Sequence, residues 1–237
     1  MPVVAPIAPR GFFVTGTDTG VGKTRVACAL LRALVRSGVR AVGMKPVAAG
    51  AVHDAEGLLN EDVAALNAAS TFVAPRALVN PYCFEPAIAP HIAAARAGVN
   101  IELARIVTAF DALALQADMV VVEGAGGFCI PLGDAFDSAD LAERLDLPVI
   151  LVVGLRLGCL NHALLTAQAI RARGLRLAGW IANRIDPAME AVDENVFALA
   201  DRLGAPLMAE WPNAPAGVWE LPLEWLDIAS AGLPDRG

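Results

Sequence analysis

The sequence is poor in charged and aromatic residues. Charged side chains make up 18% of the 237 residues and aromatic side chains 5%, whereas 56% of the residues are hydrophobic. The apolar content argues against a disordered chain and is enough to bury a sizeable core. Because much of it is alanine and valine, the composition is typical of small-residue helices packed on a buried sheet. The length fits one large α/β domain covering residues 1–237.

Further features that the sequence lacks limit the kinds of partner and the cellular location that we expect. The net charge of -7 leaves no basic surface for nucleic acid, so DNA and RNA partners are not expected. No signal peptide is recognisable, and no apolar run reaches the about 20 residues that a membrane span needs. We therefore expect a soluble, cytoplasmic protein without a membrane partner. A disulfide framework or metal cluster is not expected either, since there is no CxxC pair among Cys28, Cys83, Cys129 and Cys159.

Apolar runs alternate with helical patterns along the chain. The runs predict strands at 11–15, 39–45, 118–123, 148–154 and 175–183. Helical spacing predicts a first helix ending near residue 35, then helices at 101–115, 138–145, 161–173 and 189–203. The Gly/Pro/Ala-rich segments 48–57 and 205–217 are predicted as loops. This order predicts a doubly wound, mostly parallel sheet with helices on both faces, whose ligands bind beyond the carboxyl ends of the strands.

The strongest motif is a glycine-rich turn between the first strand and the first helix. Residues 16–24 read GTDTGVGKT. Gly20 and Gly22 allow the backbone to curl so that successive N–H groups point at phosphate oxygens, and the helix N-terminus adds positive partial charge. Lys23 can reach the β- and γ-phosphates of a nucleotide, and the Thr24 hydroxyl can bind Mg²⁺. We interpret the segment as a P-loop that binds ATP.

A second lysine and several carboxylates follow other strands. Lys45 ends the second predicted strand, at the same sheet edge as the P-loop, which favours anion binding over a solvated lysine. Glu123 ends a later strand, where P-loop proteins place a carboxylate near Mg²⁺. A third carboxylate stays undecided on chemistry alone: Asp62 could equally cap the following helix, and Asp54 and Glu61 are alternatives.

One helix start is a candidate for carboxylate binding. Gly158 to His162 opens the helix after the strand at 148–154, and its unpaired N–H groups could hold a carboxylate with help from Asn161. An ordinary helix start is the plainer interpretation of the same residues. Cys159 has no activating partner in the sequence, so no cysteine nucleophile is expected.

Taken together, the motifs resemble those of the dethiobiotin synthetase family. The resemblance runs in order from about residue 12 to residue 212 and rests on the segments GTDTGVGKT (16–24), MKPVAAG (44–50), NPY (80–82), PHIA (90–93), VEGAGG (122–127), PVILVVG (148–154), LGCLNHALLTAQAI (157–170) and LAGWIAN (177–183). The first glycine of the loop, Gly16, stands one residue earlier than in the usual P-loop spacing.

The resemblance implies an ATP-dependent ring closure. The family converts 7,8-diaminononanoate, CO2 and ATP to dethiobiotin, ADP and phosphate, through a carbamate and a mixed carbamic-phosphoric anhydride, in biotin synthesis. By resemblance, the catalytic residues are Lys45, Lys23 and Thr19, and the Mg²⁺ ligands are Thr24, Asp62 and Glu123. The ATP site comprises Gly20, Val21, Gly22, Lys23, Thr24, Arg25, Asp62, Glu123, Gly124, Ala125, Gly126, Asn183, Arg184 and Pro212. The substrate site comprises Ala49, Gly158, Cys159, Leu160 and Asn161.

The resemblance also implies a homodimer, because the segment from Gly158 to Asn161 would bind the substrate carboxylate of the neighbouring subunit. Two positions depart from the family pattern. Ala49 stands where a serine is usual, which removes a hydroxyl worth about 0.5–1.5 kcal/mol as a hydrogen bond. Gly20 stands where some relatives carry glutamate. Neither change affects the expected phosphate or metal ligands.

The principal alternative is a partitioning-type P-loop ATPase, acting as a nucleotide-switched binding module. Such proteins usually carry a second lysine early in the loop, and Asp18 stands at that place here. Many also have a membrane-targeting tail, whereas the last residues of this sequence are acidic overall. These two features favour the ligase.

Overall fold

Short parallel strands organise the chain. In this computed structural model, which describes residues 11–213 and residue 221, the strands are β1 Gly11–Gly16, β2 Ala41–Met44, β3 Val47–Ala49, β4 Val52–Asp54, β5 Gly57–Leu59, β6 Tyr82–Phe84, β7 Met119–Glu123, β8 Val149–Leu155, β9 Leu177–Arg184 and β10 Leu207–Trp211. Six of them form one sheet in the order β10-β9-β8-β1-β7-β2. All its pairings are parallel. The predicted parallel α/β fold is therefore confirmed.

Helices cover both faces of this sheet. They are α1 Lys23–Arg36, α2 Glu61–Ala69, α3 Arg76–Val79, α4 Pro90–Arg96, α5 Leu103–Ala114, α6 Ser138–Leu145, α7 Cys159–Ala172 and α8 Val192–Arg202. On β1, Phe12 and Val14 pack with residues of α1 and α2, whereas Phe13 packs with residues of α5, α6, α7 and α8. Alternate side chains thus enter two separate cores, which explains why these strands are continuously apolar. No helix in the described part of the chain has the length and apolar character that crossing a membrane requires.

The long connection between β2 and β7 contains four short strands outside the six-stranded sheet. Within it, β3 pairs in parallel with β6, and β4 pairs with β5 as an antiparallel hairpin. The prediction of a loop at 48–57 was therefore wrong. Strands β3, β4 and β5 have only three residues each, which is too short for an alternation of apolar and polar residues to be recognised.

The predicted loop at 205–217 was also wrong in part. Strand β10 occupies Leu207–Trp211 and pairs with β9 at the edge of the sheet. Its side chains are buried at Met208 and Trp211 only, so it lacks the continuous apolar run of the central strands. Residues 214–217 of the predicted loop lie outside the described residues. The other predicted elements exist, with ends that differ by up to three residues.

Candidate active site

The carboxyl ends of three adjacent strands meet at one cleft. It encloses about 760 Å³. Strands β1, β7 and β2 are neighbours in the sheet, and the register places Met44 opposite Val122. Lys45 and Glu123 are therefore the next residues of neighbouring strands. The predicted residues that line the cleft are Thr19, Gly20, Gly22, Lys23, Thr24, Arg25, Lys45, Ala49, Asp62, Glu123, Ala125 and Gly126.

The glycine-rich turn curls as the sequence predicts. Gly20 has φ +75° and Gly22 has φ +98°, a left-handed conformation that glycine adopts without strain. Gly22 immediately precedes α1, so the helix N-terminus faces the cleft. A Cβ on Gly22 would lie 2.5 Å from Asn183 Nδ2. Both the backbone conformation and the nearby asparagine therefore require glycine at this position.

Lys23 is buried at the base of the loop. Its side-chain Nζ donates a hydrogen bond of 2.9 Å to the backbone oxygen of Asp18, which holds the ammonium group inside the curl. Burial, together with the charge of Lys45, lowers the pKa of Lys23 to about 8. An anion with several oxygens would relieve both penalties, since it would solvate and neutralise the ammonium group. The loop is thus suited to a polyphosphate.

Four polar side chains converge beside Lys23. Thr24 Oγ1 lies 2.7 Å from Asp62 Oδ1 and 3.0 Å from Glu123 Oε1. Lys45 Nζ lies 2.8 Å from Asp62 Oδ2 and 2.5 Å from Glu123 Oε1. Lys45 and Glu123 are only 5% and 1% exposed, so two opposite charges are held together out of water. The sequence predicted each of these residues separately, and the structure brings them within hydrogen-bonding distance.

The cluster shifts the pKa of each charged member. Burial would lower the pKa of Lys45, but the charges of Glu123 and Asp62 more than offset this and raise it. Burial raises the pKa of Glu123, and the charge of Asp62 acts in the same direction against that of Lys45. For Asp62, burial is outweighed by Lys45 and Thr24, and the pKa is lowered. Lys45 therefore stays protonated between two carboxylates.

The oxygens of this cluster fit a magnesium ion. Mg²⁺ binds oxygen ligands at about 2.0–2.1 Å in octahedral geometry, so neighbouring ligand oxygens lie about 2.9 Å apart, close to the separations around Thr24 Oγ1. Glu123 Oε2 is buried and makes no hydrogen bond. The described residues contain no group of three His, Cys, Asp or Glu residues able to hold a metal, so phosphate oxygens would have to complete the site.

The structure separates the three candidate carboxylates. Asp62 lies in the cluster and does not cap α2, because the Asn60 side chain accepts the hydrogen bond from the Asp62 N–H. Asp54 is wrong as a candidate: it lies in the β4–β5 hairpin and pairs with Arg76 at 2.8 Å. Glu61 lines the cleft but is exposed and makes no contact with the cluster.

Asn60 was missed from the sequence. Its Oδ1 caps α2 through the Asp62 N–H at 3.0 Å, and its Nδ2 donates to Ala49 O at 3.1 Å. It thus links the helix that carries Asp62 to the strand that carries Ala49. An asparagine directly before the helical segment was the signal that could have revealed the cap. The apolar wall formed by residues 87–90 gave no comparable signal, because nothing in its sequence shows what it faces.

Several residues of the predicted ATP site do not line the cleft: Val21, Gly124, Asn183, Arg184 and Pro212. The Asn183 side chain contacts the loop itself, and its Nδ2 donates a hydrogen bond of 2.8 Å to Val21 O. Arg184 Nε donates to Glu210 at 2.6 Å. Pro212 is exposed, directly after β10. Gly124 lies behind the cleft, and a Cβ there would meet the ring of Phe13 at 3.3 Å.

The predicted carboxylate-binding segment forms the start of α7. Gly158 is the left-handed residue before α7, with φ +93°. Cys159 is buried, Leu160 is partly buried and Asn161 is exposed. Leu157 beside them is 94% exposed. These residues do not line the cleft of their own chain.

Comparisons with known proteins identify the family. A protein-family model described as an AAA domain matches residues 10–220. ATP-dependent dethiobiotin synthetase BioD of Aromatoleum aromaticum is 62% identical over 205 residues, which cover 86% of this chain and 91% of that protein. The chain belongs to the dethiobiotin synthetase family. The protein of the same name from Ralstonia nicotianae is 52% identical over 217 residues, covering 92% of this chain and 95% of that protein.

Solved structures at low identity share the fold of this dethiobiotin synthetase family member. A ParA family ATPase from Chlorobium tepidum TLS has a TM-score of 0.55 at 17% identity, covering 95% of this chain and 91% of that chain. A chain of the MinC:MinD cell division protein complex of Aquifex aeolicus has a TM-score of 0.52 at 17% identity, covering 95% of this chain and 87% of that chain. At such identities the likeness concerns the fold alone.

The loop differs from that of partitioning ATPases at Asp18. This residue takes the place where those proteins usually carry a second lysine, and its carboxylate forms an ion pair with Arg156. Asp18 Oδ1 also accepts a hydrogen bond of 2.7 Å from the Thr19 N–H. The hydrogen bond from Thr19, with further help from Arg156, holds the pKa of Asp18 below its ordinary value. A negative charge therefore stands where a partitioning-type loop would carry a positive one.

Proposed function

We propose that the chain closes the ureido ring of dethiobiotin from 7,8-diaminononanoate and CO2, at the expense of ATP. The observation that carries this proposal is the convergence of Lys23, Lys45, Thr24, Asp62 and Glu123 at one sheet edge. It occurs in a chain 62% identical to an ATP-dependent dethiobiotin synthetase. Two cations and two carboxylates beside a curled phosphate loop match the demands of phosphoryl transfer, which needs positioning and charge neutralisation.

The reaction follows from the substrates. One amine of the substrate adds to CO2 and loses a proton, giving a carbamate. A carbamate oxygen attacks the γ-phosphorus of ATP, the bond to the leaving ADP oxygen breaks, and a mixed anhydride forms. The second amine then attacks the carbonyl carbon, inorganic phosphate leaves, and the ring closes. No protein nucleophile is needed, in agreement with the absence of an activated cysteine or serine among the candidate residues.

Within this scheme the two lysines have separate tasks. Lys23 would contact the β- and γ-phosphates from inside the loop, where it now donates to Asp18 O. Lys45 would neutralise charge on the transferring phosphoryl group and the carbamate from the end of β2. Thr19, exposed at the rim of the loop, would contribute to the phosphate site. The protein's contribution is largest in the transition state, where these charges are fixed in place before reaction.

Mg²⁺ is the expected metal. Thr24, Asp62 and Glu123 would hold it together with phosphate oxygens, and the metal would neutralise phosphate charge when bound. On the adenine side, Asn183 uses its Nδ2 on Val21 O, so its Oδ1 is the atom available to the exocyclic amine of adenine. Arg184 and Pro212 would border the base.

A homodimer is part of the proposal. The start of α7, from Gly158 to Asn161, does not line the cleft of its own chain, and Leu157 beside it is almost fully exposed. Both facts support a site in which this segment binds the substrate carboxylate of a neighbouring subunit. Analytical ultracentrifugation would test the oligomeric state.

The proposed function is tested by direct product detection. Purified protein incubated with 7,8-diaminononanoate, bicarbonate, ATP and Mg²⁺ is expected to release dethiobiotin and ADP in equal amounts, measured by mass spectrometry. Omission of the diamine is expected to abolish ADP release. ADP release at an undiminished rate without the diamine would favour the ATPase alternative.

Substitution of Asp62 is expected to raise the metal requirement. Asp62→Asn removes a negative charge from the cluster around Thr24, so the Mg²⁺ concentration for half-maximal activity should increase at least about tenfold. Calorimetric binding of Mg²⁺-ADP should weaken, while binding of ADP in the presence of EDTA should not change. The matched control is Asp54→Asn, on the β4–β5 hairpin. Equal Mg²⁺ requirements in the two variants would contradict the metal assignment.

A further inference from the structure

The NPY segment at residues 80–82 has no assigned role, yet it lies against Lys45. Asn80 is 6% exposed. Its Nδ2 donates one hydrogen bond of 2.6 Å to Lys45 O and another of 2.9 Å to Tyr82 O. Both protons of the amide are therefore used, and both acceptors are backbone oxygens. Asn80 bridges the end of β2 and the start of β6.

This bridge matters because Lys45 lies beyond the last residue of its strand. Strand β2 ends at Met44, so Lys45 has lost the regular pairing of the sheet. The Lys45 N–H donates instead to Val79 O at 2.8 Å, and the Tyr82 N–H donates to Pro46 O at 3.1 Å. With the bond from Asn80, the backbone on both sides of Lys45 is anchored to residues 79–82.

The anchoring segment is itself fixed. Tyr82 is 4% exposed, and its hydroxyl accepts a hydrogen bond of 2.9 Å from the Glu102 N–H. The guanidinium group of Arg105 lies 4.7 Å from the centre of its ring, a distance at which a cation attracts the ring face. The segment therefore links the start of α5 to the backbone at Lys45, and it has anchors of its own besides its bonds to residues 45 and 46.

From these contacts we propose that Asn80 is a positioning residue that sets the place of the Lys45 ammonium group. The inference rests on the proposed function, in which Lys45 acts on the transferring phosphoryl group. The Lys45 side chain is attached to this backbone and is buried. A shift of the backbone therefore displaces Nζ relative to the carboxylates of Asp62 and Glu123. A misplacement of about 1 Å can reduce a rate by about a hundredfold.

A purely structural role is the competing explanation. Asn80→Ala removes one hydrogen-bond donor from each of two backbone oxygens, those of Lys45 and Tyr82, which destabilises the protein whether or not Lys45 is displaced. Loss of stability therefore does not distinguish the two explanations. The distribution of the effect between turnover and ATP binding does, and so does its dependence on Lys45.

The first test is a double-mutant cycle. Asn80→Ala is expected to lower kcat by tenfold to about a hundredfold, with the KM for ATP within about twofold of its original value. In a Lys45→Ala background, the same substitution is expected to cause no further loss of kcat, since residues that act through one another are not additive. An equal loss in both backgrounds, or a change confined to the KM for ATP, would overturn the proposal.

Ser70→Ala is the matched control. Ser70 Oγ accepts a hydrogen bond of 2.9 Å from the Gly43 N–H, two residues before Lys45 on the same strand. Its removal should lower the Tm but leave kcat unchanged. If Ser70→Ala and Asn80→Ala gave equal losses of kcat at equal losses of Tm, general loosening of β2 would account for both. Should Asn80→Ala not fold, Asn80→Ser replaces it, since its shorter hydroxyl can donate to only one of the two carbonyls at a time.

The second test does not require turnover. The sequence contains only two lysines, Lys23 and Lys45. Protein labelled with ¹³C at the lysine Cε therefore gives two Cε signals in NMR spectra, and each is assigned by its loss in the corresponding Lys→Ala variant. The Lys45 signal is expected to shift in Asn80→Ala and not in Ser70→Ala. An unmoved Lys45 signal overturns the positioning role even if the wild-type protein makes dethiobiotin. A wild-type protein that makes no dethiobiotin, with a shifted signal, removes the proposed function and leaves the positional link intact.

Discussion

Replacement of Lys23 by alanine is expected to abolish dethiobiotin formation without unfolding the protein. Lys23 is the cation inside the phosphate loop, 6% exposed and held by Asp18 O. Loss of one preorganised donor to developing charge typically costs about 10²–10³-fold in kcat, and weaker ATP binding adds to the loss in kcat/KM. The lowered pKa of Lys23 indicates that burial and Lys45 disfavour its charge in the folded protein, so loss of that charge is not expected to unfold the protein.

The measurement pairs product formation with thermal unfolding. Dethiobiotin is quantified by mass spectrometry, ADP binding by calorimetry, and Tm by circular dichroism. Arg202→Ala, an exposed cation that ends α8, is the control for loss of positive charge and should leave all three unchanged. Near-normal turnover in Lys23→Ala would remove the phosphate assignment of the loop.

Replacement of Lys45 by alanine is expected to reduce turnover far more than nucleotide binding. Lys45 comes from the end of β2, outside the phosphate loop, and it contacts Asp62 and Glu123 without contacting the loop backbone. Its charge is therefore best placed for the transferring group and the carbamate, which exist only as the reaction proceeds. We expect kcat to fall by about 10²–10³-fold, with the dissociation constant for ADP changed by less than about fivefold.

Stability requires a separate control for this variant. Lys45→Ala leaves Glu123 buried without its partner, and an unpaired buried charge is strongly destabilising. Lys45→Met has a side chain of similar length and leaves the same charge unpaired, and Lys45→Arg retains the cation. Some turnover is expected to return in Lys45→Arg and none in Lys45→Met, measured at a temperature well below the lower Tm. Equal losses of turnover and of ADP binding would instead indicate a lysine that only binds nucleotide.

The central sheet could be predicted because the burial of its strands is visible in short stretches of sequence. Strands such as β7 and β8 are covered on both faces, and that burial appears in the sequence as uninterrupted apolar runs. The P-loop was equally legible, since Gly20 and Gly22 are required by backbone conformation and Lys23 follows at a fixed spacing. Strand β10 and the β4–β5 hairpin could not be predicted, because their formation depends on the strands they pair with, and hydrophobic periodicity does not show that pairing.

The site was predicted in parts and not as an arrangement. Strand ends indicated Lys45 and Glu123. Chemistry alone left Asp62 level with Asp54; the family resemblance favoured Asp62, and the positions of the two residues in the fold separate them in the same way. Asn60 and Asn80 received no role from the sequence, because both act through hydrogen bonds to backbone oxygens, those of Ala49 and Lys45. A buried amide that donates to a distant carbonyl leaves no pattern in a single sequence.

The fold by itself does not determine the function. The described structure shares its fold with a ParA family ATPase at 17% identity, and that likeness does not extend to the activity. The difference lies in single residues around the loop. Asp18 with its partner Arg156 argues against a partitioning ATPase, and the high identity to dethiobiotin synthetases over most of the chain decides the family.

The scarcity of lysine has a practical consequence. Lys23 and Lys45, the only two in the sequence, are 6% and 5% exposed. Amine-reactive dyes, cross-linkers and coupling surfaces should therefore react little with the lysine side chains of the folded protein. Where an amine reagent does enter the cleft, bound nucleotide should exclude it, so lysine labelling should fall as the fraction of occupied molecules rises.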